Sequence, residues 1–367
     1  MNKIIYLDAA ASYQKTDAVI DAQIDFLQNK YANSGRGVCA RAVAVDDMVA
    51  RSRARVAGFI NARADQVVFT SGTTDGMNLI ANMLPMSART KLLVSDLDHH
   101  SARLPFAQRI EDKAGRVFVC GLNAEYDIDI DNIPYADIFV ITAMSNVMGR
   151  PQNVAEIIRA AREKNPDVIT VVDAAQFVVH EKIDVFAWDC DFMCFSGHKI
   201  GADTGLGILY IKNPNRFMPV KFGGGMLRRI QDDGQLVLMD APDVFEAGTL
   251  PLTQIAGLIP AIDALEHNRP DLNLIKYMYD ELSQINRVKI LTMRDAALLT
   301  FVVDGMHALD FGALIGARGV CARVGNMCAS WVHKLLGING SVRLSVGGYN
   351  TMDDVRQAVQ YIKEVLK

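Results

Sequence analysis

The stretch Asp191-Phe-Met-Cys-Phe-Ser-Gly-His-Lys199 decides how this chain is read. The apolar run from Asp191 to Phe195 reads as a buried strand. Ser196-Gly197-His198-Lys199 turns away from it, and Gly207 to Ile211 forms a second apolar run. A lysine at a strand–turn junction can be desolvated, which lowers its pKa and frees its amine as a nucleophile. Taken singly, such a lysine is more often a solvated surface group.

Asp173 changes that balance. It closes another buried run, Val168 to Val172, and a carboxylate at the end of a core strand is costly unless it meets a cation. A lysine able to form an imine, and an acid able to keep a pyridinium nitrogen protonated, are the two partners that pyridoxal phosphate needs to act as an electron sink.

Working outward, Gln66 to Thr70 reads as a strand followed by Ser71-Gly72-Thr73-Thr74 and a helical pattern from Asp75 to Met83. Free N–H groups, hydroxyls and the positive end of a helix would converge there on an anion, although plain N-capping is the commoner use of such residues. Lys91 to Ser95 runs into His99-His100, and Ile138 to Thr142 into Ser145-Asn146; Val117 to Cys120 is a further strand and Pro151 to Glu163 a helix. Strands alternating with helices predict an α/β domain with a mostly parallel sheet. Thr73, His99, Asn146, Asp173 and Lys199 all follow strand ends, where ligand crevices lie in such sheets.

Composition sets the bounds. The chain has 367 residues, half of them apolar and 22% charged, which is enough for a sizeable core and two domains. A net charge of −4 without a basic block argues against nucleic acid as the primary ligand. No apolar run is long enough for a membrane span, and the first residues lack the apolar core of a signal peptide. Six cysteines without paired spacing fit a reducing, cytoplasmic setting, and seven scattered histidines form no metal constellation. Cys190 and Cys194 are expected on one face of a strand, both buried.

The remaining segments are read more simply. Tyr6-Leu7-Asp8-Ala9-Ala10-Ala11-Ser12 is extended and small, suited to close backbone approach or tight packing. Asp17 to Tyr31 and Val45 to Ile60 are helices, the second carrying Arg51, Arg53 and Arg55 on an expected solvated face. Arg36 sits in a glycine-flanked loop. One helical stretch from Leu252 to about Glu266 leads to a smaller C-terminal domain that contains a strand from Ala297 to Val303 and ends in a helix, Met352 to Leu366.

Nine segments in order, YLDAAAS, INARADQVVFTSGTTDGMNLIAN, DHHSARLPF, VVDAAQ, CDFMCFSGHK, TGLGILYIK, FEAGT, CARVGNMCA and VRLSVGGYNT, closely resemble cysteine desulfurases of the class V aminotransferase family, particularly the SUF-type group. The resemblance implies a pyridoxal-phosphate transferase of fold type I. Residues 15–261 would form the large cofactor-binding domain, and 1–14 with 262–367 a small α+β domain carrying a nucleophilic cysteine. Lys199 would hold the cofactor, Asp173 its ring nitrogen and Gln176 its phenolate oxygen, with His99 stacked on the ring. Thr73, Thr74, Ser196 and His198 would bind its phosphate, with Thr249 reaching across from a second subunit of a homodimer. Asn146, Arg323, Arg343 and Arg36 would lie at the substrate, Arg343 gripping its carboxylate. Cys328, in Gly325-Asn326-Met327-Cys328-Ala329, would be the nucleophile, where composition alone suggests a small buried hydrophobe. Relatives often carry histidines where this chain has Ala143 and Met327.

The implied activity is conversion of L-cysteine to L-alanine with a persulfide on Cys328, passed on to an acceptor protein. Iron–sulfur cluster assembly, tRNA thiolation and DNA sulfur modification would share this sequence pattern. A selenocysteine lyase or other C–S lyase on the same fold is the nearest alternative, and a non-enzymatic scaffold a more distant one.

Overall fold

A computed structural model describes residues 3–35 and 37–367, so Arg36 lies outside the described residues. The chain starts with β1 (Ile5–Tyr6). The large sheet is built from β2 (Val67–Thr70), β3 (Lys91–Ser95), β4 (Arg116–Cys120), β5 (Ile138–Thr142), β6 (Ile169–Asp173), β7 (Phe192–Ser196) and β8 (Gly207–Ile211). Its seven strands lie in the order β2-β8-β7-β6-β5-β3-β4. β3 pairs in parallel with β4 and β5, and β6 with β5 and β7. Only β8 runs against both its neighbours. The expected mostly parallel α/β sheet is therefore what forms.

Side chains alternate between two apolar layers, as a strand buried on both faces requires. Phe69, Leu93, Phe139, Val172 and Phe195 point to one layer, and Val68, Leu92, Val140, Val171 and Cys194 to the other. The second layer is closed by the helices Thr73–Met83 and His100–Glu111, and the first by Ala40–Phe59, Val154–Lys164 and Leu258–His267. Cys190 belongs to the first layer and precedes β7, whereas Cys194 belongs to the second. Both are buried, but they do not share a face, because the strand starts only at Phe192.

The smaller sheet follows a hairpin of β9 (Leu227–Ile230) and β10 (Leu236–Leu238). It contains β11 (Val288–Ile290), β12 (Leu299–Val303), β14 (Arg323–Gly325) and β15 (Ser341–Leu344) in the antiparallel order β11-β12-β15-β14. β13 (Val320–Cys321) pairs with β1, and Asp8 forms a bridge to Ser345, so residues 5–8 pack with the C-terminal strands.

Two helix expectations need correction. The stretch from Leu252 breaks at Gly257 into Leu252–Ala256 and Leu258–His267. A Cβ at Gly257 would lie 3.1 Å from Val19 Cγ1, a tight contact where the chain passes the first helix. Of Arg51, Arg53 and Arg55 on Ala40–Phe59, only Arg51 is exposed. Arg53 is buried and grips Glu246 with both nitrogens, at 2.6 and 2.8 Å, while also donating to the Val67 carbonyl at 2.8 Å. Arg55 pairs with Asp263 at 2.8 Å and with Glu266. Sequence periodicity could not show a buried carboxylate nearly two hundred positions away.

Candidate active site

Parallel strands deliver their C-terminal ends to one edge of the sheet. Thr73 and Thr74 follow β2, His99 follows β3, Asn146 follows β5, Asp173 and Gln176 follow β6, and Ser196, His198 and Lys199 follow β7. All nine line one cavity of about 210 Å³, joined by Ser101, Thr142, Met144 and Ala175.

At its floor, Lys199 Nζ donates to the Ala10 carbonyl at 2.5 Å. Burial, aided by the Arg343 charge and opposed by Asp173 and Asp8, lowers the pKa of this lysine to about 7. Asp173 is pushed up to about 6 by burial, against the Ala175 N–H (2.9 Å) and the Lys199 charge. Gln176 also donates to the Ala10 carbonyl, at 2.7 Å. His99 caps the helix His100–Glu111, with Nδ1 accepting the Ser101 N–H at 3.2 Å and lying 2.7 Å from its hydroxyl. Burial and the Lys199 charge lower His99 to about 4, so its ring is neutral. The same two causes lower His198 to about 4.

The turn after β2 is pinned to β7: the Thr73 N–H donates to Ser196 Oγ at 2.8 Å, and the two hydroxyls are also 2.8 Å apart. Gly207 of β8 makes this approach possible, since a Cβ there would lie 2.4 Å from Gly72 Cα.

The arginines come from the smaller sheet. Arg323 and Arg343 are directly opposite in the β14–β15 register, a like-charge pairing that would be destabilising unless something came between them. Asp8 does so, accepting from Arg343 Nη2 at 3.2 Å and Arg323 Nη2 at 2.6 Å. Arg343 is 2% exposed and also donates to the Asn146 carbonyl at 2.9 Å. Burial lowers its pKa to about 10, with Asp8 opposing. Arg323 is turned onto Asp8 and is exposed; like Arg343 and Cys328, it is not among the residues lining the cavity.

Cys328 lies on the loop after β14 and is exposed. It and Met327 both adopt left-handed backbone, at φ 55° and 53°, a conformation costing on the order of 1–3 kcal/mol per non-glycine residue. Met327 is buried beside Leu97, Val147 and Val332. Its carbonyl accepts from Asn146 Nδ2 at 2.8 Å, so the loop is tied to the cavity wall. Thr249 is exposed and borders a different cleft, with Asn33, Asp46 and Gly224, away from the Lys199 cavity of the same chain.

The site thus includes groups that the sequence reading left out: Asp8, the Ala10 carbonyl, Ser101 and Met144. Asp8 carried a usable signal, an acid inside an otherwise small, apolar segment. Ala10 carried none, since its contribution is backbone.

The cavity suits a planar, anionic, ring-bearing cofactor. Gln176 Oε1 and Asn146 Oδ1 line it, and both are buried without a protein partner, as is Arg343 Nε. A neutral histidine, a buried acid, a low-pKa lysine and a hydroxyl-rich helix start surround one space. Among the described residues no cluster could hold a metal ion, and no helix is long and apolar enough to cross a membrane.

The chain matches the family described as Aminotransferase class-V over residues 5–358. It is 30% identical over 382 residues to a cysteine desulfurase of Serratia proteamaculans (strain 568), covering 99% of this chain and 94% of the relative. It is 32% identical over 381 residues to that of Enterobacter sp. (strain 638), covering 99% and 93%. Among solved structures, the apo cysteine desulfurase from Thermococcus onnurineus NA1 superposes with a TM-score of 0.94 at 29% identity, covering 99% of this chain and 94% of that one. The cysteine desulfurase CsdA (S-sulfonic acid) from Escherichia coli does so at 0.90 and 30%, with the same coverage. A low-pKa lysine beside a buried acid, on a fold and a chain matched from end to end, places this protein in the aminotransferase class-V family, among its cysteine desulfurases.

Proposed function

We propose that this protein is a pyridoxal-phosphate-dependent cysteine desulfurase that converts L-cysteine to L-alanine and leaves the sulfur as a persulfide on Cys328. The observation that carries the reading is the convergence of Lys199, Asp173, Gln176 and His99 on one cavity, with the Cys328 loop hydrogen-bonded to its wall through Asn146. Lys199 is the residue to hold the cofactor, Asp173 its ring nitrogen, Gln176 its ring oxygen, and Thr73, Thr74, Ser196 and His198 its phosphate. When bound, pyridoxal phosphate supplies an electron sink for the negative charge that develops at the substrate's α-carbon.

The chain's own groups do the rest. Arg343, clamped by Asp8 and the Asn146 carbonyl, presents a fixed cation to the substrate carboxylate. Lys199, with a pKa of about 7, can both take and return a proton near neutral pH. Neutral His99 offers a flat face without adding positive charge. The Cys328 thiolate attacks the substrate sulfur; the C–S bond breaks, an S–S bond forms, and protonation of the remaining carbon skeleton yields alanine. The exposure of Cys328 suits onward transfer of the persulfide sulfur to an acceptor protein. Thr249, exposed and outside the Lys199 cavity, supports a homodimer in which it serves the neighbouring subunit's site. The SUF-type assignment, a role in iron–sulfur cluster assembly and a cytoplasmic location belong to this proposal.

Incubation with L-cysteine and a thiol reductant should yield alanine and sulfide in equal amounts. Cys328→Ser should keep the yellow cofactor absorbance and lose turnover. Failure to form alanine overturns the activity, and a fully active Cys328→Ser overturns the nucleophile. Faster turnover of selenocysteine that survives in Cys328→Ser would mark a selenocysteine lyase instead.

A further inference from the structure

The nucleophile's loop is held in its left-handed conformation by groups outside it. Consecutive non-glycine residues at positive φ, here Met327 and Cys328, persist only where the surroundings over-determine them. Asn146 holds the Met327 carbonyl, and the Cys328 N–H donates to Asn326 Oδ1 at 3.2 Å. The Cys328 carbonyl accepts the backbone N–H of His100 at 2.8 Å. The side chain of this same histidine takes the next polar residue: the Ser330 N–H donates to His100 Nε2 at 3.2 Å, and Ser330 Oγ lies 3.0 Å from that nitrogen.

Because Nε2 accepts an amide proton, the imidazole is neutral with its hydrogen on Nδ1, and the Ser330 hydroxyl donates to Nε2. Asn326 Nδ2 in turn donates to Ser330 Oγ at 3.3 Å, closing a ring of bonds around the cysteine. The imidazole packs edge-on against Trp331 at 5.2 Å, and the Arg103 guanidinium lies 4.3 Å over the Trp331 ring while pairing with Asp96. These contacts fix the histidine's orientation.

We propose that His100 is a positioning residue for Cys328. It ties both sides of the nucleophile to the helix that starts immediately after His99, and so holds the thiol's loop beside the cavity that His99 lines. The role rests on the desulfurase reading, since it supposes a sulfur in that cavity for Cys328 to reach. His100 acts through the loop backbone.

The test uses the holoenzyme with His100→Leu, which keeps bulk without an acceptor, and His100→Gln, whose amide oxygen can take the place of Nε2. Hydrogen exchange should speed up about tenfold at residues 326–330 in His100→Leu and return toward wild type in His100→Gln. In the same variants kcat for L-cysteine should fall about tenfold in His100→Leu with KM within about twofold, and recover in His100→Gln. Unchanged exchange or kcat in His100→Leu, loosening spread across the large sheet, or no recovery in His100→Gln would each overturn the proposal. If wild-type protein makes no alanine, the desulfurase reading fails by itself, and exchange at residues 326–330 still decides whether His100 holds the loop.

Discussion

At the residue scale, the site keeps two ionisable groups far from their ordinary behaviour. Lys199 carries its proton up to about 10.4 in an unfolded chain, but loses it near 7 in the fold. Between those values the unfolded chain binds more protons, so stability rises with pH across that window; below it, the full cost of burying the ammonium applies. Asp173 is the mirror case: between its ordinary value and about 6 the fold holds a proton that the unfolded chain does not, so stability falls as pH rises through that window. In protein free of any bound cofactor, Lys199→Met should therefore raise unfolding stability at pH 7 by roughly 2–4 kcal/mol, with the gain fading by about pH 10. Urea denaturation at the two pH values measures this, and a gain that persists undiminished at the higher pH would contradict the burial account. The arginine and Cys328 assignments sit at the same scale, but their geometry is imposed from elsewhere: Arg343 is poised by Asp8, which is 335 positions away in sequence.

At the element scale, the buried Arg53–Glu246 pair joins the helix Ala40–Phe59 to β2. Glu246 Oε1 also accepts the Phe69 N–H at 2.6 Å, and the guanidinium lies 4.5 Å over the Phe69 ring. Burial raises the Glu246 pKa, while Arg53 and the Phe69 N–H hold it down. Glu246→Ala would leave a buried guanidinium without its partner and should cost about 3–5 kcal/mol of stability, whereas an Arg53→Met, Glu246→Leu double variant should lose much less. Chemical denaturation of the two variants beside wild type measures both losses. A double variant no better than Glu246→Ala would show that packing, not the unpaired charge, carries the loss. The helix Ala40–Phe59 was legible from its apolar spacing, whereas His100–Glu111 was not read from the sequence. The partner of Arg53 was not, because the spacing places a residue on a face without saying what covers that face.

At the scale of the whole molecule, residues 8–10 stitch the two sheets together at the site. Asp8 meets Arg343 and Arg323, the Ala10 N–H donates to Ser345 Oγ at 2.9 Å, and the Ala10 carbonyl takes both Lys199 and Gln176. The proposed homodimer makes a sharp prediction. Lys199→Ala and Thr249→Arg subunits, each inactive alone, should regain activity when co-expressed, because a mixed dimer keeps one site with an intact lysine and an intact threonine. Alanine production by the purified mixture checks this; no recovery in a verified mixed dimer would mean that Thr249 serves its own chain's site or none. What the sequence by itself determined was the alternation of strand and helix and the row of polar residues after strand ends, since apolar period and turn chemistry are local properties. Only the tertiary structure decided that Asp8 separates two facing arginines, that Arg53 is buried, and that Met327 and Cys328 are held in left-handed backbone. Each of these depends on a partner distant along the chain, and only the packed sheets bring such partners within hydrogen-bond reach.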